Sequence, residues 1–591
     1  MNDNNICEQI TQNLIKYDVT VVFGIVGIPI VELANHFINS KKIKFIPFRN
    51  EQAASYAASC YSYLMSNSSK SKICGLLVVG GPGIIHALSG VFNSIENKWP
   101  LLVMAGSLEA SSLYKAGGSG FQELDQVNLL SNFHINFTGR LDTNIPNCPD
   151  RVFHKAINGC IQSNNVSYID IPGNLISNNN GTNNNTSINT TSSSKYNITS
   201  LKIRPDPNAI KLIASTIIRK SKMNLLLVVG KGAVNSSAAI RKFVNKYQIP
   251  FLPTPMAKGI IEDSNPLNVS SARSASLQKA ELVIVLGARL NWILHFGESP
   301  KWNDNVQFIQ ADRDPKSLEF SNDTNKYVGC LGDIDLFVND LMASLDLEIA
   351  TNNTLKLNNL IQLVKKQIEW NVEKLKLKES KPGYQNLLTY NQVYSNIRSH
   401  LIDSETIIVA EGANTMDIAR ISFPTDYPKR RLDAATTATM GCGLPYAITA
   451  KLTNPDKLIL CIQGDSAFGF SGMELETAHR CNLPIIVIVM NNSGIYHGYI
   501  KNKNETGNLC PSTALSKNCR YDLVARGLGF KGYLVHDLRE LNEAFIKAVK
   551  DYKENGVGSL LNVIIEPGKQ GKLEFGWQGK NGTNTAARAK L

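Results

Sequence analysis

The stretch that decides the fold of this chain is residues 457–498, KLILCIQGDSAFGFSGMELETAHRCNLPIIVIVMNNSGIYHG. An apolar run at 458–462 is followed by the turn GDS and by an amphipathic helical pattern that extends to about Cys481. A second apolar run, 485–490, ends in two asparagines. This pattern predicts a strand, a helix and a second strand. Strands joined through a helix are parallel, so we expect both to end at the same edge of a sheet.

Polar residues follow both of these strands. Asp465 comes directly after the first strand, and Asn492 follows the second. A carboxylate, an amide oxygen and a nearby backbone carbonyl suit a hard cation such as Mg²⁺, which keeps other positions for water and phosphate. Ser466 and Ala467 are small and let backbone N–H groups approach a phosphate at the helix start. The segment therefore predicts a site for Mg²⁺ and a diphosphate, although a plain strand, helix and strand with a capping aspartate explains the same pattern.

Composition places the chain among soluble globular proteins. The length of 591 residues predicts three or four domains. A content of 43% hydrophobic and 19% charged residues is typical of a soluble globular protein. No apolar run approaches the roughly 20 residues that a membrane helix needs, and the N-terminal residues lack the pattern of a signal peptide. The 11 cysteines are scattered without a CxxC pair, which favours reduced thiols in an intracellular compartment.

The formal net charge is +12, and the lysines and arginines are dispersed along the chain. A basic surface can attract nucleic acid, form a solvated face, or serve an anionic cofactor and an anionic substrate. Charge alone does not choose among these three.

Residues 1–175 alternate short apolar runs with helical patterns, which predicts a doubly wound parallel sheet. Four loops, GIVGIP, RNEQ, GGPG and GGSGFQE, follow or approach the strand ends and are expected to crowd one rim. Glu51 opens a helix, where a carboxylate ordinarily complements the helix dipole. Gln122 lies in the last loop, where a glutamine is as often simply solvated. The predicted strands are 21–23, 45–47, 75–79, 101–104 and 166–171.

The rest of the chain divides by composition and pattern. Residues 176–200 are rich in Asn, Ser and Thr, and we interpret them as a linker. Residues 201–347 predict a second, Rossmann-like sheet, in which Asp312 is a candidate ribose partner or a helix cap. Residues 385–567 predict a third α/β domain, and 568–591 are a polar tail. The strands predicted here are 225–229, 251–252, 282–286, 308–311, 406–410 and 561–566.

Six motifs resemble, in their order along the chain, those of the thiamine-diphosphate-dependent enzymes: RNEQAA, GGPG, FQE, EGANT, TMGCG and GDS with the later NN. The resemblance implies three α/β domains: pyrimidine-binding, central and diphosphate-binding. It implies Mg²⁺ bound by Asp465, Asn492 and the carbonyl of Gly494, and a proton exchanged between Glu51 and the aminopyrimidine ring. Met440 is implied to wedge under thiamine diphosphate and bend it, although methionine is also ordinary core filler.

The resemblance also implies the remaining site residues. Gln122 is implied to be catalytic, through a hydrogen bond to a substrate hydroxyl or carbonyl. Tyr496 and His497 are candidates for facing the substrate, and a role in a surface turn is equally consistent with both. The implied cofactor-binding residues are Glu51, Asn414, Met440, Gly441, Asp465, Ser466, Ala467, Asn492, Gly494 and Ile495.

Two stretches, FLPTPMAKG (251–259) and LGARLNWILHFG (286–297), especially resemble the branch of the family that acts on acyl-CoA. For a 2-hydroxyacyl-CoA lyase, the implied reaction cleaves the C1–C2 bond of a 2-hydroxyacyl-CoA into formyl-CoA and an aldehyde one carbon shorter. The alternative is an oxalyl-CoA decarboxylase that gives formyl-CoA and CO₂. The residues FQE at 121–123 disfavour this alternative. An acetolactate synthase with FAD and a catalytically silent nucleotide-binding scaffold are further alternatives.

Partners and location follow from the same resemblance. It implies a homotetramer built from dimers, in which Glu51 of one subunit meets the Asp465 site of the other. The final residues Ala589, Lys590 and Leu591 resemble a peroxisomal import signal and predict an import receptor as a partner, unless the tripeptide is a chance match. An anionic cofactor and an acyl-CoA substrate account for the positive charge, so we expect no nucleic-acid partner.

Overall fold

The structure, a computed structural model, describes residues 5–67, 71–109, 112, 115, 120–142, 144–177, 196, 198–318, 326–352, 360–434, 436–496, 498 and 512–568. The predicted linker lies mostly outside these residues, and His497 and the three final residues lie outside them entirely. The chain forms two compact units. One comprises the residues up to Lys202 together with Lys378–Gly568, and the other is Ile203–Leu377.

The first unit contains two sheets, of which the N-terminal one has six strands. These are β1 (Val21–Gly24), β2 (Lys44–Pro47), β3 (Gly75–Val78), β4 (Leu101–Ser107), β5 (Phe137–Arg140) and β6 (Val166–Pro172). All pairs are parallel, in the order β2-β1-β3-β4-β6-β5. The helices are α1 (Ile6–Lys16), α2 (Val31–Asn39), α3 (Glu51–Met65), α4 (Pro82–Asn97), α5 (Gln126–Ser131), α6 (Cys148–Ser163) and α7 (Gly173–Ser177).

The second unit contains a five-stranded parallel sheet. Its strands are β7 (Leu225–Val229), β8 (Phe251–Pro253), β9 (Leu282–Leu286), β10 (Gln307–Asp312) and β11 (Tyr327–Leu331), in the order β11-β10-β9-β7-β8. The helices along this part of the chain are α8 (Pro207–Arg219), α9 (Ser237–Tyr247), α10 (Arg273–Lys279), α11 (Ile334–Asn352) and α12 (Leu360–Ser380).

The C-terminal sheet of the first unit again has six parallel strands. They are β12 (Thr406–Glu411), β13 (Arg431–Asp433), β14 (Leu458–Gly464), β15 (Ile486–Asn491), β16 (Lys531–Val535) and β17 (Ser559–Ile564), in the order β13-β12-β14-β15-β17-β16. The helices are α13 (Tyr390–Arg398), α14 (Ala413–Ser422), α15 (Gly443–Thr453), α16 (Asp465–Ser471), α17 (Glu474–Arg480), α18 (Tyr521–Gly527) and α19 (Leu538–Asn555).

Three doubly wound parallel sheets confirm the predicted fold class. The central strands β3, β7, β9 and β15 are buried along their whole length, as the continuous apolar runs indicate. In the described part of the chain, no helix combines the length and the apolar character that crossing a bilayer requires. The ten described cysteines are all free thiols.

The structure corrects the prediction at two kinds of place. Strands β5, β11, β13 and β16 were not predicted, and each lies at the edge of its sheet. The single helix predicted after Asp465 is two helices, α16 and α17. At the break, Leu475 and Glu476 donate their N–H groups to the carbonyls of Gly472 and Met473, three residues earlier. The α-helical bonds to the fourth preceding residue are thus replaced by 3₁₀-type bonds next to Gly472, a residue that weakens a helix.

The two sheets of the first unit are joined by buried contacts between α3 and α4 on one side and the segment that begins α15 on the other. The Asn93 side chain donates to the Tyr446 hydroxyl at 2.7 Å, and Thr449 Oγ1 donates to the Ala57 carbonyl at 3.0 Å. The Tyr56 hydroxyl also bonds to Thr439. These contacts fix the helix that starts at Glu51 against the C-terminal sheet of the same chain.

Candidate active site

Asp465 lies where strand β14 ends and helix α16 begins, at the carboxyl edge of the C-terminal sheet. It is 2% exposed. One carboxylate oxygen accepts the N–H of Ser466 at 2.9 Å, and the other accepts the N–H of Gly494 at 3.0 Å. Strands β14 and β15 are neighbours, so the predicted juxtaposition of Asp465 with the segment after β15 is confirmed.

The two asparagines after β15 have different surroundings. The Asn491 side chain donates to Asn562 Oδ1 at 3.0 Å and to the Cys519 carbonyl at 3.1 Å, and its own Oδ1 accepts the N–H of Ser493. It therefore braces the loop. Asn492, 5% exposed, has one longer bond, from its Nδ2 to the Tyr496 carbonyl at 3.4 Å.

Asn414, in the first turn of α14, reaches the same loop. Its Nδ2 donates to the Tyr496 carbonyl at 2.9 Å. The carbonyl of Tyr496 thus receives both Asn414 and Asn492, which brings EGANT and the NN loop together. Ser466 is half-buried, Ala467 and Gly494 are buried, and Ile495 is 45% exposed.

The residues around Asp465 fit a divalent cation. Burial raises the pKa of Asp465 to about 6. Among the residues that the structure describes, none forms an ion pair with Asp465, and a buried carboxylate without a cation is unfavourable. Asp465, the Asn492 amide and the Gly494 carbonyl make an all-oxygen donor set of the kind that Mg²⁺ prefers.

Met440 lies in the turn that leads into α15 and is half-buried, so its side chain is partly open to a ligand. The next residue, Gly441, has a φ of +92°, which an L side chain rarely adopts. A Cβ there would also lie 3.2 Å from Phe470 Cβ. The turn is thus shaped for glycine beside Met440.

Glu51 is the first residue of α3, and its side chain is 14% exposed. Its carboxylate lies 3.3 Å from His86 Nδ1 on α4. A Cβ at Gly83 would lie 3.6 Å from Glu51 Oε1, so the GGPG loop passes directly beside this carboxylate.

Gln122 lies on the loop next to GGPG. A Cβ at Gly81 would be 2.6 Å from the Gln122 carbonyl oxygen, and both residues have positive φ, +55° at Gly81 and +54° at Gln122. Gln126 supports this arrangement, because it accepts the N–H of Gly81 at 2.9 Å and donates to the buried Asp170 at 2.7 Å. The loops that carry Glu51 and Gln122 therefore share one rim, as the sequence predicts.

The predicted residues fall into two groups within this chain. One group surrounds Asp465, and the other surrounds Glu51. Within the described residues, no hydrogen bond or ion pair joins Glu51 to Asp465 or Asn492.

Sequence reasoning missed two buried carboxylates beside these groups. Glu474, at the start of α17, accepts the N–H of Arg49 at 3.2 Å and thereby fixes the turn before Glu51. Glu411, which ends β12, accepts the N–H of Gly443 at 2.7 Å. A carboxylate at the end of an apolar strand was the available signal for Glu411, but its partner lies 32 residues away in sequence.

Comparison with known proteins matches the whole architecture. Family models of the thiamine pyrophosphate enzymes match the N-terminal TPP binding domain at residues 4–129, the central domain at 212–341 and the C-terminal TPP binding domain at 410–563.

Curated relatives cover nearly the full chain. The chain is 50% identical to a 2-hydroxyacyl-CoA lyase of Saccharomyces cerevisiae, over 97% of this chain and 98% of that protein. It is 37% identical to 2-hydroxyacyl-CoA lyase 1 of Homo sapiens, over 96% of each. It is 33% identical to an oxalyl-CoA decarboxylase of Escherichia coli, over 94% of each. With its three sheets, its Asp465 site and these matches, the chain belongs to the family of thiamine pyrophosphate enzymes.

Proposed function

We propose that this chain is a thiamine-diphosphate- and Mg²⁺-dependent 2-hydroxyacyl-CoA lyase. It cleaves the C1–C2 bond of a 2-hydroxy fatty acyl-CoA into formyl-CoA and an aldehyde one carbon shorter, the chemistry of fatty acid α-oxidation. The observation that carries this proposal is the 50% identity to a 2-hydroxyacyl-CoA lyase over 97% of the chain, against 33% to an oxalyl-CoA decarboxylase. Thiamine diphosphate supplies the electron sink for carbon–carbon cleavage when it is bound.

Asp465, the Asn492 amide oxygen and the Gly494 carbonyl would hold Mg²⁺, which would supply the positive charge that a diphosphate needs. Ser466 and Ala467 would lie beside the phosphates at the start of α16, where the Ser466 N–H itself is donated to Asp465. The buried position of Asp465 supports this role, because a cation would compensate a carboxylate that has no ion pair among the described residues.

Three further residues act at the other end of the cofactor. Met440 would pack against the cofactor and limit its conformation. Glu51 holds or releases a proton at the aminopyrimidine ring, and its shielded position beside Gly83 keeps that proton away from bulk water. Gln122 donates its side-chain N–H to the substrate hydroxyl or carbonyl. Asn414, Gly441 and Ile495 complete the cofactor-binding set.

The rival activity is oxalyl-CoA decarboxylation, because a member of that class is also related over nearly the whole chain. Incubation of the pure protein, thiamine diphosphate and Mg²⁺ with 2-hydroxyoctadecanoyl-CoA or with oxalyl-CoA separates the two. We expect aldehyde from the first substrate and no CO₂ from the second. CO₂ from oxalyl-CoA without aldehyde from the hydroxyacyl substrate would overturn the proposal.

The working form in this proposal is a homotetramer of two dimers, in which Glu51 of one subunit meets the Asp465 site of the other. Exposed apolar side chains beside both groups support it. Ile85 and Phe92 on α4, and Phe470 and Met473 on the segment from α16 to α17, are each 48–54% exposed. These side chains are available for burial between subunits.

Subunit complementation tests the shared site. The variants Glu51→Ala and Asp465→Ala are each expected to be inactive. After subunit exchange, about half of the dimers are mixed and each has one intact site of two, so about a quarter of the parent activity returns. Absence of any recovery, with both variants folded and exchanging, would contradict a site shared between subunits.

The proposal also includes import into peroxisomes through Ala589, Lys590 and Leu591, which would be bound by the import receptor. Its support is the resemblance of AKL to SKL and its place in a polar tail. A fluorescent protein followed by the last 20 or so residues of this chain is expected to collect in peroxisomes. A diffuse signal that is the same with and without Leu591 would contradict it.

A further inference from the structure

Glu411 is a buried carboxylate at the point where the order of strands in the C-terminal sheet reverses. It ends β12, and the chain continues to β13 on one side and to β14 on the other. Ligands of open α/β sheets bind at this kind of reversal. Glu411 is 0% exposed, and its register partner on β14 is Gln463, also 0% exposed.

The Glu411 carboxylate accepts hydrogen bonds from neutral N–H groups. One oxygen accepts the N–H of Gly441, and the other accepts the N–H of Gly443 at 2.7 Å and the Gln463 side-chain N–H at 2.6 Å. Bonds to an ionised carboxylate are roughly twice as strong as neutral ones. In the described part of the chain, Glu411 has no ion pair, so these donors stabilise its charge in place of a cation.

The local backbone is shaped for this contact. A Cβ at Gly443 would lie 2.6 Å from the Glu411 oxygen and 2.7 Å from Gln463 Nε2. Only glycine therefore lets the backbone approach this closely. With Gly441 at a φ of +92°, the turn brings the N–H groups of Gly441 and Gly443 to one carboxylate.

The contact joins three of the segments that the proposed function assigns to the cofactor. Glu411 itself begins EGANT, which carries Asn414. Its backbone partners begin immediately after Met440. Its side-chain partner, Gln463, is separated from Asp465 by a single residue, Gly464.

We propose that Glu411 is a positioning residue that clamps the Met440 turn to the ends of β12 and β14, so that the residues for both ends of thiamine diphosphate are held in one arrangement. This inference rests on the proposed function of that site. Glu411 acts through the backbone of Gly441 and Gly443 and through Gln463.

Glu411→Gln tests the clamp, because it keeps the shape of the side chain but turns one acceptor into a donor that faces the N–H groups. The affinity of the purified apo-protein for thiamine diphosphate in the presence of Mg²⁺ is measured by calorimetry. We expect the dissociation constant to rise about tenfold or more, since a charge-assisted contact is lost. The near-ultraviolet circular dichroism of the bound cofactor is also expected to change at saturation, which a loss of stability alone would not cause.

Gln463→Met is the second variant, for the case in which Glu411→Gln does not fold. It removes one donor from the carboxylate and leaves the charge in place. Among the described residues, Gln463 Oε1 is buried without a hydrogen-bond partner, so methionine also removes an unsatisfied atom and is expected to fold. The dissociation constant is expected to rise about threefold to tenfold.

Asp263→Asn is the control. The buried Asp263 carboxylate pairs with Lys258 at 2.6 Å in the unit of the middle sheet, outside the three segments. It is expected to lower thermal stability and to leave the dissociation constant within about twofold. A rise in the dissociation constant of Asp263→Asn as large as that of Glu411→Gln would overturn the inference.

Failure of the positioning role and failure of the proposed function give different results. Parent affinity in Glu411→Gln, or in Gln463→Met if the first variant does not fold, would overturn the positioning role alone. A parent protein that does not bind thiamine diphosphate would instead contradict the proposed function.

Discussion

Glu474→Gln should remove a large part of the dependence of stability on pH. Glu474 is 1% exposed, and its carboxylate accepts the N–H of Arg49 at 3.2 and 3.3 Å and the Thr477 hydroxyl at 2.5 Å. The Arg49 guanidinium pairs with Glu476 instead. Burial therefore raises the pKa of Glu474 to about 7, from the ordinary value of 4.5.

The sign and the size follow from this shift. A carboxyl whose pKa is higher in the folded state contributes stability that is fully present below pH 4.5 and is lost as the pH rises through 7. A shift from 4.5 to about 7 corresponds to about 3 kcal/mol. Most of it, about 2 to 3 kcal/mol, is lost between pH 5 and pH 8.

The assay is urea unfolding of the parent and of Glu474→Gln at pH 5 and at pH 8. Between pH 5 and pH 8, the free energy of unfolding of the parent should fall by about 2 to 3 kcal/mol more than that of the variant. Burial also raises the pKa of Glu411 to about 7, but Glu411 is present in both proteins, so its contribution cancels.

Glu476→Gln is the matched control on the same helix. Arg480 beside Glu476 holds the pKa of Glu476 below its ordinary value, so the stability from Glu476 is lost only as the pH falls below the interval used. The difference in free energy of unfolding between Glu476→Gln and the parent should stay nearly constant between pH 5 and pH 8. Equal pH dependence in the parent and Glu474→Gln would refute the reasoning.

Three further predictions concern the site. Asp465→Asn should weaken Mg²⁺-dependent binding of thiamine diphosphate at least about tenfold in calorimetry, and unchanged binding would contradict its role as a ligand. Glu51→Gln should lower kcat at least about 100-fold while the cofactor still binds, and a kcat near that of the parent would exclude proton exchange at Glu51. Gly81→Ala should raise KM for the acyl-CoA and lower Tm, because its Cβ would meet the Gln122 carbonyl at 2.6 Å; a KM and Tm equal to the parent values would contradict this contact.

The central strands could be predicted because burial on both faces leaves a continuous apolar run. LLLVV of β7 and IVIVMN of β15 are examples. The edge strands β5, FTGR, and β13, RLD, are short and mix polar with apolar residues, although β13 is buried. Short mixed segments of this kind cannot be separated from loops by periodicity.

The candidate site was predictable where one segment carries the chemistry. Asp465 and Asn492 belong to one strand, helix and strand, so their proximity follows from topology alone. The contact of Glu411 with Gly441 and Gly443 depends on how a distant turn packs against β12, which local sequence patterns do not encode. The same holds for Glu474 and Arg49, which lie 425 residues apart.

The measurement that tests the central claim most directly is product analysis with 2-hydroxyoctadecanoyl-CoA. The protein with thiamine diphosphate and Mg²⁺ should give formyl-CoA and the aldehyde of 17 carbons in equal amounts, and neither product should form without the cofactor. An 18-carbon product, or cleavage that proceeds equally without thiamine diphosphate, would contradict the account.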